Sequence, residues 1–291
     1  MRLELSDLRD AIRAKGGAWT AEVTEISGYL DQAEDSGLFG LRIGEDEREA
    51  ALQEAFKAES QSLAAAAPPP PGVDWRHHGG RNWVSPIKHQ RTCGACIAFS
   101  TCAVLESRTK IDRDDPDFAI DLSEADLFFC GCGRCCRTGW SFVPALNRCL
   151  TDGVGDERAF PYVPRDQDCP PALSTQITPL VRVSGWSSEA SRLGRKQAIA
   201  KNGPVIAGMR VFEDFYYYRA GTYSHTVGRF RGLHAVAVIG YDDAAGHWLV
   251  KNSWGPGWGD QGFFAIAYGE CGIDSEFAFY DPFVTYVGPA A

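Results

Sequence analysis

No apolar run in this 291-residue sequence approaches the roughly 18 residues that a membrane-spanning helix requires. The opening Met-Arg-Leu-Glu-Leu-Ser-Asp has no apolar core after its first charges, so no signal peptide is visible there. A basic excess is missing too: 29 Lys and Arg stand against 38 Asp and Glu, for a formal charge of −9. That balance excludes the positive face with which a protein tracks nucleic acid, and no membrane partner is expected either. No internal repeat is present. Cysteine is absent before Cys93, and all ten cysteines fall between Cys93 and Cys271.

What is present suits a globular α+β protein. Hydrophobic residues make up 44% and charged residues 23%, enough apolar material for a true core. The first seventy residues, rich in Ala, Glu and Asp, read as amphipathic helices over Leu3–Ile12 and Glu45–Leu63. They end in Ala64–Ala67 followed by Pro68–Pro71, which cannot continue a helix and favours an extended connector. A segment of that size before such a linker suits a removable pro-segment or, alternatively, an accessory domain. Helical spacing then covers Cys96–Ile111, a capped turn starts at Ser123, and Phe142–Leu150 is periodic. The last third turns to strands: 181–183, 205–211, 234–241, 248–252 and 262–267. Helices first and strands later predict two lobes.

Within Gln90-Arg91-Thr92-Cys93-Gly94-Ala95-Cys96-Ile97-Ala98-Phe99-Ser100, Cys96 opens a helix. There the unpaired N–H groups and the positive end of the dipole favour thiolate over thiol. This depresses a pKa that is roughly 8.5 in a free cysteine and makes Cys96 a candidate nucleophile. The chain has six histidines, and His234 begins an apolar run that a polar loop joins to Trp248–Asn252. An antiparallel hairpin of these two runs sets His234 beside Asn252, whose side-chain oxygen would fix the imidazole tautomer. The cluster Cys130-Gly131-Cys132-Gly133-Arg134-Cys135-Cys136 admits zinc or disulfides.

These strings, together with Val73-Asp74-Trp75, Leu122-Ser123-Glu124, Asn202-Gly203-Pro204-Val205, Gly232-Leu233-His234-Ala235 and Asn252-Ser253-Trp254-Gly255, resemble the papain-like cysteine peptidases from Val73 almost to the C-terminus. The resemblance implies a two-lobed fold with an active-site cleft between a helical left lobe, about 85–181, and an antiparallel β-barrel-like right lobe, about 182–285. Residues 1–71 would be a propeptide-like inhibitory segment with its linker, and 72–291 the peptidase domain. It assigns Cys96 as nucleophile, His234 as general base and acid, Asn252 as orienting residue, and Gln90 as an oxyanion donor alongside the Cys96 N–H. Trp254 would cover the His–Asn hydrogen bond. Ile97 departs from the family's aromatic residue after the nucleophile, without removing a catalytic atom.

The resemblance also implies disulfides Cys93–Cys136 and Cys130–Cys169 in place of zinc, with a further bridge to Cys149 unassigned. Cys102 is read as a buried free thiol, and Cys271 lacks a partner position. No metal and no cofactor is implied. Such bridges favour an extracytoplasmic or lysosome-like compartment, although the sequence carries no address for one.

The nearest likeness is to cathepsin B. Ala18-Trp19-Thr20-Ala21-Glu22 is similar to a stretch of its short propeptide, and Leu38-Phe39-Gly40 to that propeptide's run at the cleft. Residues 36–44 are therefore expected in the groove near Cys96, with reversed chain direction sparing them from cleavage. The stretch Cys271-Gly272-Ile273-Asp274-Ser275-Glu276 resembles the one that ends at the base of the S2 pocket. Gly139, Trp140, Gly208, Gly232, Leu233, Ala235 and Glu276 are accordingly the expected substrate-binding residues. Glu276 is expected to accept Arg at P2 beside bulky apolar residues. The expectation is a cysteine peptidase made as a zymogen, acting on peptides or proteins through a Cys96 thioester and held by its own N-terminal segment. A peptide ligase or a non-catalytic peptide-binding homologue on the same fold are the rivals.

Overall fold

The computed structural model describes residues 3–31, 37–44, 68–170 and 179–289, with positions 49 and 53. Helix α1 (Leu5–Ala14) buries Leu8 and Ile12, as the periodicity requires. The second expected helix, Glu45–Leu63, lies outside the described residues but for those two positions. Strand β1 (Trp19–Ala21) follows, then β2 (Gly72–Asp74) beyond the proline connector.

Three helices build one lobe: α2 (Cys96–Asp112), α3 (Glu124–Cys132) and α4 (Phe142–Thr151). Ser123 caps α3 as expected, its side chain accepting from the Asp126 N–H at 2.9 Å. Helix α2 is buried from Cys96 to Thr109 because the lobes close on both of its sides. Its Arg108 forms a buried ion pair with Asp281 of the other lobe. Lys88 lies between Glu124, at 2.8 Å, and Glu106, at 3.3 Å, and fastens the stretch leading to Gln90 onto α2 and α3.

The other lobe is a sheet. Its further strands are β3 (Val181–Glu189), β4 (Val205–Phe212), β5 (Tyr218–Tyr223), β6 (Phe230–Asp242), β7 (His247–Lys251), β8 (Phe263–Ala267) and β9 (Phe279–Tyr286). They run β1-β5-β8-β7-β6-β4-β9-β3, with β2 on β6. Among the described strands, all pairings are antiparallel, as expected of this lobe, except β5 with β8. Helix α5 (Arg192–Asn202), capped by Ser191, escapes the hydrophobic pattern because Gly194 and four basic residues interrupt it. Strand β9 is hidden by Pro282, which stands opposite Trp186 of β3, while β9 meets β4 only through Tyr280.

Two hydrophobic clusters correspond to the lobes. One gathers Phe215, Trp248, Trp254 and Trp258 with Leu8, Ile12 and Trp19 of the N-terminal segment. The other surrounds α2, α3 and α4 and reaches Ala235 and Phe277. Trp19 is clamped between Tyr223, at 5.1 Å, and Tyr218, at 6.2 Å, and β1 extends the sheet edge through β5.

The bridges Cys93–Cys136 and Cys130–Cys169 form as expected. A third joins Cys132 to Cys135. The bridge left open to Cys149 is not made, since Cys149 is a buried free thiol on α4, as Cys102 and Cys271 are elsewhere.

Candidate active site

Cys96 is the first residue of α2, and the segment before it is folded tightly onto the Cys93–Cys136 bridge, with the Gly94 N–H donating to the Cys136 carbonyl at 2.8 Å. The backbone N–H groups of Ala235, of Gly40 from the N-terminal segment and of Ile97 lie close enough to its sulfur to favour thiolate. His234 and Asn252 come from the β6–β7 hairpin that the sequence predicts, where Ala237 pairs with Lys251. His234 Nε2 meets Asn252 Oδ1 at 2.8 Å, and the same oxygen accepts the Ser253 N–H. Nδ1 of His234 is buried and has no hydrogen-bond partner among the described residues. Trp254 covers the pair, its ring 5.0 Å from the imidazole.

Gln90 is wholly buried. Its side-chain oxygen accepts from Ser253 Oγ at 2.6 Å, which turns Nε2 toward the cleft. That amide donates to the Cys93 carbonyl at 3.0 Å and to the Leu38 carbonyl at 3.3 Å. A carbonyl of the N-terminal segment thus occupies the place where an oxyanion donor would hold a substrate's.

The described part of that segment, residues 37–44, lies in the cleft; Ser36 is outside the described residues. Phe39 packs edge-on against Trp254, 6.4 Å away, and His234, 6.5 Å away, filling the space over Gly232. The Gly40 carbonyl accepts from Trp140 N at 2.7 Å, the Trp140 carbonyl accepts from Arg42 N at 2.9 Å, and the Leu233 carbonyl accepts from Leu41 N at 3.3 Å. Leu41 pairs with Trp140 in parallel and inserts its side chain beside Gly208 and Phe277. From Leu38 to Leu41 the chain therefore passes from the His234–Trp254 side to the Gly208 side. Glycine is required at both close approaches, because a Cβ at Gly40 would lie 1.7 Å from the Gly94 oxygen and one at Gly139 2.0 Å from the Gly40 oxygen.

Gly139, Trp140, Gly208, Gly232, Leu233 and Ala235 are thus brought together around the segment, Trp140 and Leu233 through their backbones. Glu276 differs from expectation in its company. Both of its oxygens accept from Arg210 Nε at 2.8 Å, so the carboxylate already has a guanidinium partner from β4. Arg210 and Phe277 are the residues at this end of the cleft that sequence reasoning did not single out. Arg210 follows Gly208 by two positions, the spacing that puts both on one face of β4, and that alternation was the available signal.

Burial pushes the Cys96 thiol up to about 11, against smaller opposing help from the surrounding backbone N–H groups, and the His234 imidazole down to about 4, against smaller opposing help from the Asn252 hydrogen bond. Both shifts hold the covered pair neutral.

A profile described as papain family cysteine protease matches residues 69–280. The chain is similar to the gut-specific cysteine proteinase of Caenorhabditis elegans, 34% identical over 219 residues covering 65% of this chain and 66% of that one. It is similar to pro-cathepsin H of Bos taurus, 33% identical over 242 residues covering 80% and 70%. Among solved structures it resembles digestive procathepsin L2 proteinase from Tenebrio molitor larval midgut at TM-score 0.73 and 27% identity, covering 96% of this chain and 88% of that one. It also shares its fold with proCathepsin B S9 from Trypanosoma congolense, at TM-score 0.73 and 24% identity, covering 96% and 98%. The chain belongs to the papain family of cysteine proteases.

Proposed function

We propose that this chain is a peptidase zymogen in which Cys96 attacks the peptide carbonyl, His234 moves the proton, Asn252 orients the imidazole, and Gln90 with the Cys96 N–H receives the oxyanion. The observation that carries the reading is the Leu38–Arg42 strip lying across these residues, with its Leu38 carbonyl at the Gln90 amide. Removing the strip would expose thiol and imidazole to water, lift the desolvation that keeps both neutral, and favour thiolate–imidazolium. Thioester formation breaks the peptide bond, and His234 protonates the departing amine.

That amine belongs to the C-terminal half of a substrate, so a productive peptide sets its C-terminal half beside His234 and Trp254. The strip does the opposite, with its N-terminal half there, and so presents no bond in a cleavable sense. Leu41 beside Gly208 supports a bulky apolar residue at P2. Arginine at P2 would have to compete with Arg210 for Glu276. Three disulfides support folding in an oxidising compartment. Cys96→Ala in the processed protein should abolish peptide hydrolysis with the fold intact by circular dichroism. Cleavage at the wild-type rate would sink the mechanism.

A further inference from the structure

Beside Gln90 stand two residues that the reaction above does not use. Arg91 takes the left-handed conformation, φ 56°, unusual for a residue with a side chain. In that turn its N–H donates to His89 Nδ1 at 3.0 Å. His89 Nδ1 is thereby an acceptor, and the ring proton sits on Nε2. Nε2 is buried, lacks a hydrogen bond among the described residues, and points at Glu25 Oε1 across 3.7 Å. The same oxygen accepts from Arg91 Nη1 at 3.0 Å and, more weakly, from Tyr29 Oη at 3.5 Å. Burial and the Arg91 charge depress the His89 pKa, so at neutral pH the ring is a neutral donor beside a permanent cation.

The place matters. His89 bridges Trp254 backbone to backbone, and its ring lies against Gly255. Trp254 in turn stacks on His234. The pair therefore sits on the side of the cleft from which the leaving amine departs. Glu25 belongs to the N-terminal segment, and its departure would leave a guanidinium fork and an N–H donor facing that side without their carboxylate.

We propose that His89 and Arg91 form a carboxylate-binding subsite on the leaving-group side, occupied by Glu25 in the zymogen and by a substrate carboxylate after processing. The carboxylate is an acidic side chain shortly beyond the cleaved bond or the peptide's own C-terminus. This rests on the peptidase reading above.

The test uses full-length protein folded and then processed in its proline connector. Quenched fluorescent peptides share one sequence before the cleaved bond and carry Glu or Gln at the first, second or third position after it, each as free acid and as amide. At one of these positions kcat/KM should favour the carboxylate about three- to tenfold, the range of an exposed to a charge-assisted pair. The preference should shrink in 0.5 M salt (about a 4 Å screening length). In Arg91→Asn, which tolerates the left-handed turn, it should fall toward unity. Because the readout is a ratio within one enzyme, any common loss of rate cancels. Preference for the free acid alone assigns the C-terminal carboxylate, and preference for Glu within the amides assigns the side chain. Equal cleavage of every pair by the wild type, or an undiminished preference in Arg91→Asn, would overturn the subsite while leaving the peptidase reading intact. Cleavage of none would overturn both.

Discussion

Gly40→Ala is the sharpest perturbation of the segment in the cleft. A Cβ at Gly40 would lie 1.7 Å from the Gly94 oxygen and 2.4 Å from its carbonyl carbon. Both are backbone atoms held by the Cys93–Cys136 bridge next door, so they cannot swing aside. Relief requires the strip to rise by about 1.5 Å or more, since non-bonded contacts settle well above 3 Å. That displacement breaks the bonds Trp140 N to Gly40 O, Arg42 N to Trp140 O and Leu41 N to Leu233 O. At about 0.5–1.5 kcal/mol each, the loss is roughly 2–4 kcal/mol, or about 30- to 1,000-fold in affinity. The assay adds synthetic segment 1–67 to processed protein and follows inhibition of a fluorogenic peptide. Gly44→Ala is the control, because a Cβ there meets nothing within 4 Å. Equal inhibition by the Gly40→Ala and wild-type segments would refute the placement of this strip.

Acid should loosen the segment. The covered His234 holds its pKa near about 4, against an ordinary 6.5, so the uncovered ring takes up a proton that the covered ring refuses. Affinity is therefore full above pH 6.5 and falls by up to about tenfold per unit as pH drops toward 4. Segment binding to processed Cys96→Ala protein at pH 7 and pH 5 measures this, and tighter binding at pH 5 would contradict it. At the other end of the cleft, Arg210→Ala should remove the guanidinium that competes for Glu276 and raise kcat/KM for P2 Arg relative to P2 Leu by about tenfold, the scale of one charged hydrogen bond. No change in that ratio would show that Arg210 leaves the carboxylate open.

The residues expected to act were legible because each lies in a short string whose chemistry is local. Cys96 announces itself by opening a helix, and His234 with Asn252 by the two runs of one hairpin. Ser123 could be placed as a cap from its neighbours alone. What stayed hidden depends on chain far away in sequence. Glu276 reads as a free carboxylate until Arg210, 66 residues earlier, is folded beside it. Glu25 and Arg91, also 66 apart, carry no pattern that links them. Cys149 was misread for a different reason: Cys132 pairs locally with Cys135, three residues on, and a buried thiol on α4 is left without a partner cysteine. Strand β9 was concealed by one proline and α5 by its basic residues.

The central claim is that Cys96 becomes an activated nucleophile once the segment leaves. Incubation with an epoxide or vinyl-sulfone thiol reagent, followed by mass mapping, measures this directly. Four cysteines lack a disulfide in the structure, Cys96, Cys102, Cys149 and Cys271, and all four are buried. The account predicts that processed protein takes one label, on Cys96 alone, and that the unprocessed chain takes none at the same reagent concentration. Peptide hydrolysis that persists while Cys96 remains unlabelled, or a label on another cysteine that abolishes it, would contradict the account.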